Sequence, residues 1–231
     1  MSYDIVYVLK NDIDDTELIY SVRSVCKNFE FNNIWFVGGT PRNIKPDHSI
    51  HIKQQGYNRW MKVTNTIKEI CRNKDITDDF WLFNDDFFIM SKIDNLQPIS
   101  DGTINRRIKE LNKRNPGQSS LYAQQLYITE KMLKDKDCDT LNYALHIPML
   151  INKEKALKTL YTFPKGHMFR SLYGNHHRIQ GILGTDVKIF DPKQDPTGEE
   201  IMLSTSDLSF HTGRVGEYIR KAFPEKSKYE T

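Results

Sequence analysis

The chain is short of cysteine, of long apolar runs and of net charge. Its 231 residues include only three cysteines, Cys26, Cys71 and Cys138. They are widely spaced, form no Cys-x-x-Cys pair and match no zinc pattern. That excludes a disulfide framework, and free or buried thiols in a reducing cytosol are expected. No stretch approaches the ~18 consecutive apolar residues a spanning helix needs, so no transmembrane segment is expected. The start, Met1-Ser2-Tyr3-Asp4, has no basic stretch leading into an apolar run. No secretory leader is expected, and a cytoplasmic location follows. Lys plus Arg number 33 and Asp plus Glu 30, for a net charge of +3. That is too little to announce nucleic-acid binding by itself. Hydrophobic residues make up only 38% of the chain, but 12 Phe, 11 Tyr and 3 Trp raise the aromatic share to 11%. Aromatic side chains bury large areas each, so a packed core is within reach, and the length suits one domain.

The first ninety residues alternate strand-like and helix-like patterns. Asp4-Ile5-Val6-Tyr7-Val8-Leu9 is a short run rich in β-branched and aromatic residues and predicts a buried strand. Asn11 to Thr16 is polar and acidic, as suits a loop entering a helix N-terminus, where carboxylates complement exposed N–H groups. Leu18, Ser21, Val22 and Val25 then fall at helical spacing and predict a helix over 16–28. Ile34-Trp35-Phe36-Val37 predicts a second strand, stopped by Gly38-Gly39, and Ser49 to Ile52 a third. Trp60, Val63, Ile67 and Ile70 predict a helix over 58–72. Phe80-Trp81-Leu82-Phe83 predicts a fourth strand, and Phe87-Phe88-Ile89-Met90 continues apolar after Asn84-Asp85-Asp86. This order implies parallel β/α units in an α/β sheet, mixed but mostly parallel and flanked by helices. Ligands in such sheets sit at the carboxyl ends of the strands, which singles out the loops 10–15, 38–42 and 84–86.

The second half is less regular. Residues 105–115 are basic and read as a surface helix or loop, and 119–134 and 152–161 are patterned as helices. Leu145-His146-Ile147-Pro148-Met149-Leu150-Ile151 reads as a strand broken by a proline. Residues 191–200 read as a loop, and Gly216 to Phe223 as a helix. Nothing between the halves looks like a linker, so residues 1–95 and 96–231 are taken as two halves of one domain.

The most informative segment is Phe80 to Phe88. Two adjacent carboxylates follow directly on a very apolar strand. They cannot both enter a core unpaired, because each buried charge costs several kcal/mol or more. At the top of a buried strand, Asp85 and Asp86 suit a divalent cation such as Mg²⁺ or Mn²⁺, with room for phosphate oxygens.

A strand ending in Asn84-Asp85-Asp86 resembles the acidic metal-binding motif of nucleotide-sugar-dependent glycosyltransferases of the GT-A fold. Upstream, Asp4-Ile5-Val6-Tyr7, Glu17-Leu18-Ile19-Tyr20-Ser21-Val22-Arg23-Ser24-Val25 and Ile34-Trp35-Phe36-Val37 are similar to the opening of the Stealth family. Those proteins are capsular-polysaccharide phosphotransferases built on a GT-A-like core. The resemblance is clearest over residues 3–90. Later, Leu145-His146-Ile147-Pro148 resembles the family's His-x-Pro segment, and Phe169-Arg170-Ser171 its Phe-Arg-Ser segment. The second strand ends Gly38-Gly39-Thr40-Pro41 without the family's acidic residue, and Leu9-Lys10-Asn11-Asp12 replaces its Trp-Val-Asp-Gly. The resemblance implies a GT-A-like fold and a nucleotide-diphosphate sugar as donor. It also implies a histidine near the C-terminus completing the metal site, which places His211 with Asp85 and Asp86.

Further candidates follow from residue type and position. Lys10, Asn11, Gly38 and Gly39 lie in the donor-side loops, the glycines allowing close backbone approach. Arg59, Lys62 and Asn65 sit in the first turns of the helix before the acidic strand. A cation there works against the helix dipole, which suits contact with a donor diphosphate. The guanidinium of Arg23 suits either a phosphate or a structural salt bridge. An acceptor would enter near His146, Arg170, His176 and His177. A general base is needed only if the reaction inverts the anomeric carbon, and His146, Asp186 and Asp191 are the candidates.

Three readings result. The first is a metal-dependent glycosyltransferase acting on a hydroxyl of a glycan. The second keeps the fold and transfers sugar-1-phosphate. The third is a glycan-binding module without catalysis, against which the intact acidic pair argues. A variant of the first has a modified base in phage DNA as acceptor. For it, Arg106, Arg107, Lys109, Lys113 and Arg114, followed by Tyr122 and Tyr127, would track the backbone.

Overall fold

The computed structural model describes residues 2–56, 58–114, 120–164 and 168–231. In chain order its elements begin β1 (Asp4–Leu9), α1 (Asp15–Asn28), β2 (Ile34–Gly38), β3 (His48–His51) and α2 (Arg59–Arg72). Then come β4 (Asp79–Phe83), β5 (Phe87–Ile89), β6 (Ile99–Ser100), α3 (Ile104–Arg114) and α4 (Leu121–Lys134). They are followed by β7 (Met149–Asn152), α5 (Lys153–Thr162), α6 (Phe169–His176), β8 (Ile182–Leu183) and β9 (Lys188–Ile189). The last are β10 (Met202–Thr205), α7 (Asp207–Thr212) and α8 (Arg214–Ala222). Asn115 and Ser119, at the ends of two predicted segments, lie outside the described residues.

The main sheet has the order β3-β2-β1-β4-β7. β3, β2, β1 and β4 are parallel, with Ile5 opposite both Ile34 and Trp81. β7 joins antiparallel, Trp81 facing Leu150. The mixed, mostly parallel sheet flanked by helices is the architecture expected from the strand and helix order. β1 from Ile5 onward and β2 are apolar because both faces are covered. Ile5, Tyr7 and Leu9 face one apolar cluster with Leu18, Val22 and Val25 of α1. Val6 faces another, with Ile67 and Ile70 of α2.

α1 begins at Asp14, whose side chain accepts from the Thr16 N–H. Its polar stripe is also buried. The Ser21 hydroxyl donates to the Phe87 carbonyl, Asn28 donates to the Ile89 carbonyl, and Ser24 accepts from the Ile89 N–H. These contacts satisfy the outer edge of β5, the end strand of a second sheet ordered β5-β10-β9. Through β7 and β10 the residues after 95 complete both sheets.

The second half departs from the sequence patterning in several places. Leu145 to Pro148 is not strand: β7 begins at Met149. Pro148 brings no N–H to a ladder, and the His146 N–H is spent on Asp186 instead. Residues 201–213, given no element from periodicity, form β10 and α7; β10 is buried throughout. Among the described residues no helix is long and apolar enough to cross a membrane.

The amino ends of the strands are tied by Asp4, which is wholly buried. It accepts from the Asn32 side chain, the Asn33 N–H and side chain, the Trp35 indole and the Thr77 N–H, at 3.0–3.2 Å. One carboxylate thereby fixes the starts of β1, β2 and β4.

Candidate active site

The acidic pair sits where the sequence puts it, in the turn after β4 at the carboxyl end of the parallel sheet. Asp86 is buried. Its Oδ2 accepts from Lys188 Nζ at 2.6 Å and from the Ser204 hydroxyl at 3.1 Å. Its Oδ1 is also buried and has no hydrogen-bond partner among the described residues. Asp85 stands beside it. Burial, and then the Asp86 charge, push the Asp85 carboxyl up to about 6, while Lys10 pulls against them.

A third carboxylate belongs to the same field. Glu17, in the first turn of α1, is buried and accepts from the Thr205 hydroxyl at 2.7 Å. Burial raises its carboxyl to about 8, the Thr205 bond opposes the rise, and Asp86, Asp85 and Asp207 add to it. At neutral pH Glu17 is therefore largely protonated. The positive side of the field is Lys188 and Arg170. Arg170, at the start of α6, donates to the Asn84 side chain at 3.3 Å and to the Leu145 carbonyl at 3.4 Å. Its guanidinium lies 5.3 Å from the Phe87 ring centroid, and its Nε is buried without a partner among the described residues. Burial lowers this guanidinium to about 10, against the attraction of Asp86 and Asp186.

Beside Arg170 stands a histidine–carboxylate dyad. Asp186 accepts from the His146 backbone N–H at 2.9 Å and meets His146 Nδ1 at 2.9 Å. Burial pushes the Asp186 carboxyl up, but the hydrogen bond and charge of His146 outweigh it and leave it below the usual range. An ionised carboxylate can only accept, so Nδ1 donates to it and the ring is turned with Nε2 away from Asp186. His146 and Asp186, both candidates from sequence, form one unit.

The donor-side loops line two hollows at the ends of β1 and β2. One, of about 460 Å³, is bounded by Asn11, Asp12, Asp14, Thr40 and Arg42. The other, of about 380 Å³, is bounded by Asn11, Gly38, Gly39, His51 and Lys53. Neither is lined by Asp85 or Asp86; Lys10, whose charge acts on Asp85, directly precedes the Asn11 that borders both. The glycines have a further reason. Gly38 has φ of +116°, and a Cβ on either glycine would strike the carbonyl of Leu9 or Lys10. Arg59 is exposed and lies over the Trp60 ring at 4.6 Å. Lys62 lies in the same first turn of α2, while Asn65 donates to the Gln55 carbonyl and braces the preceding loop.

Other candidates are spent elsewhere. Arg23 is engaged within the chain. It makes a two-pronged bond to Glu230 at 2.8 and 2.6 Å and donates to the Phe223 and Pro224 carbonyls, clamping the C-terminal tail. His176 and His177 do not face the dyad. His177 Nε2 meets the Thr159 hydroxyl and the Lys155 carbonyl, and His176 packs edge-on to Phe163, so both join α6 to α5 and its end. Burial lowers both imidazoles, which favours neutral packing. His211 pairs with Asp14 at 3.0 Å rather than with Asp85 or Asp86. Among the described residues no three His, Cys, Asp or Glu side chains form a group placed to hold a metal. Asp191 accepts from the Lys193 N–H and shapes its own exposed turn. In the basic run, Arg106 and Arg107 turn back on Asp101 and Glu110.

Sequence reasoning missed Glu17, Lys188, Ser204 and Thr205 as members of the site. Glu17 carried a signal: it shares a helix face with Leu18, Ser21 and Val25, an acid on a buried stripe. Lys188 and the β10 hydroxyls carried none, because their partners lie 102 or more residues away.

No protein-family model matches the chain, and no curated protein matches it. Among solved structures it is similar to the glycosyltransferase GlyE of Streptococcus pneumoniae TIGR4, at 10% identity over 97% of this chain and 50% of that one, with a TM-score of 0.37. The apo form of GlyE matches at 10% identity over 58% of this chain and 44% of that one, with a TM-score of 0.31. Mouse xyloside xylosyltransferase 1 in its apo form matches at 9% identity over 100% of this chain and 96% of that one, with a TM-score of 0.38. The chain thus spans about half the length of GlyE. All three scores lie below one half, so a functional reading has to rest on the chemistry of the site.

Proposed function

We propose that this chain transfers a sugar from a nucleotide-diphosphate donor to a hydroxyl of a glycan acceptor, with Mg²⁺ or Mn²⁺ as cofactor. One observation carries the reading. A carboxylate pair, two cations and a His–Asp dyad converge at the carboxyl edge of a parallel sheet, with polar hollows at the ends of the neighbouring strands. The buried, unpartnered Asp86 Oδ1 next to Asp85 suits an oxygen-preferring divalent cation, so these two residues would hold it. Bound there, the metal offsets charge on the donor diphosphate.

The chain's own residues supply the rest. Lys188 and Arg170 add positive charge where the leaving group gains negative charge. His146, oriented by Asp186, takes the acceptor hydroxyl proton at Nε2. The acceptor oxygen bonds to the anomeric carbon, the bond from that carbon to phosphate oxygen breaks, and a nucleoside diphosphate leaves.

A second reading draws on a specific observation. The segments similar to the Stealth family, Asn84-Asp85-Asp86, Leu145 to Pro148 and Phe169 to Ser171, meet at Arg170. In that case the acceptor oxygen attacks phosphorus, and a nucleoside monophosphate leaves. A DNA acceptor draws less support, since Arg106 and Arg107 are held by their own carboxylate neighbours.

The test is a panel of nucleotide sugars with and without Mn²⁺, read by thermal stabilisation and by product. Metal-dependent stabilisation with release of a nucleoside diphosphate is expected. Release of a monophosphate selects the second reading, and no stabilisation by any donor overturns both.

A further inference from the structure

We propose that Phe190 is the platform on which the apolar face of an acceptor sugar ring stacks. The inference rests on the transferase reading and names the acceptor subsite of that site. Phe190 follows β9 and is 61% exposed. A single exposed phenylalanine is ordinary; its neighbours here are not. The His146 ring stands perpendicular to it, centroids 6.3 Å apart. Lys188 Nζ lies 5.5 Å from its centroid while bonded to Asp86. The ring therefore bridges the two halves of the chemistry, the acidic pair on one side and the proton acceptor on the other.

Pyranose rings present a face of C–H groups and an edge of hydroxyls. An aromatic face takes the first, and a general base beside it needs the second. A sugar stacked on Phe190 would bring a hydroxyl toward His146 Nε2, whose other nitrogen is held by Asp186. A nucleobase is the other planar group that an exposed ring could take. The hollows that suit the donor are bounded by other residues, Asn11, Gly39 and Lys53 among them, and not by Phe190, which favours the sugar.

The experiment measures binding of methyl glycosides of common hexoses, and of the matching disaccharides, to the full chain by saturation-transfer NMR. Wild type, Phe190→Ala and Phe190→Trp are compared. UDP, GDP and TDP are titrated in parallel, and thermal midpoints confirm folding. Phe190→Ala should weaken glycoside binding about tenfold, and Phe190→Trp should retain it. Equal glycoside binding by wild type and Phe190→Ala, or none by wild type, overturns the platform. So does a Phe190→Ala variant that loses nucleotide binding instead, since that places the base on the ring. The nucleotide-sugar panel on wild type is a separate arm. Its failure overturns the transferase reading, whereas insensitivity to Phe190 overturns only the subsite.

Discussion

Asp4 and Asp86 are both buried aspartates, at opposite ends of the same set of strands, and they are treated in opposite ways. Asp4, at the amino ends, spends both oxygens on five neutral donors that tie three strands together. Asp86, at the carboxyl ends, faces a lysine and a hydroxyl through one oxygen and leaves the other buried and unpartnered among the described residues. The same contrast separates two arginines. Arg23 is saturated by Glu230 and two carbonyls, while Arg170 makes two long bonds and keeps its Nε unpaired. Satisfied groups hold the chain together. Asp86 Oδ1 and Arg170 Nε are unsatisfied beside the Asn84-Asp85-Asp86 turn; among the described residues Thr64, Arg107 and His176 also carry unsatisfied buried atoms.

The sharpest way to break this comparison is to remove both aspartates in turn. Asp4→Ala strands five donors and should cost about 3–5 kcal/mol in urea unfolding. Asp86→Asn should lower metal-dependent turnover of the donor at least about a hundredfold, with a smaller loss of stability than Asp4→Ala. A reversal of the two stability losses would remove the distinction.

The arginines give a smaller effect of the same form. Arg23→Met frees the tail and should cost about 2 kcal/mol, because it leaves Glu230 without its partner at low exposure. Arg170→Met should change stability by less than about 1 kcal/mol, since a guanidinium with an unpaired Nε is already poorly compensated. It should nevertheless depress turnover. Matching unfolding curves for the two variants would show that their pairing makes no difference.

A further effect is a pH slope. The Glu17 carboxyl is raised in the folded protein from an ordinary 4.5 to about 8. The folded state then holds a proton that the unfolded state gives up. Its contribution is complete below about pH 4.5 and is lost as pH rises toward 8. Glu17→Gln should remove this part of the slope, so the variant gains on wild type in thermal midpoint as pH rises across that window. Parallel profiles would place Glu17 in water.

Much of the first ninety residues was legible because local periodicity decides it. β1, β2, β4, α1 and α2 fall within a residue or so of their predicted bounds, each being an apolar run or stripe between polar breaks. The second half was harder. Pro148 interrupts what looked like one strand, and β10, only four residues long, carries no alternation to find. Arg23 and Arg170 look alike in sequence, each between an apolar residue and a serine, yet one holds the tail and the other faces the site. His176 and His177 read as acceptor-side candidates, and packing against α5 made them part of an interhelical joint.

The sequence by itself determined the alternation of strands and helices, and the placing of two acids at the end of an apolar strand. Both depend on neighbours a few residues away. Only the tertiary structure decided which charges are left unsatisfied. The partners that settle this lie 102 residues from Asp86, 188 from Glu17 and 207 from Arg23. No local pattern encodes a donor that distant; the fold has to bring it.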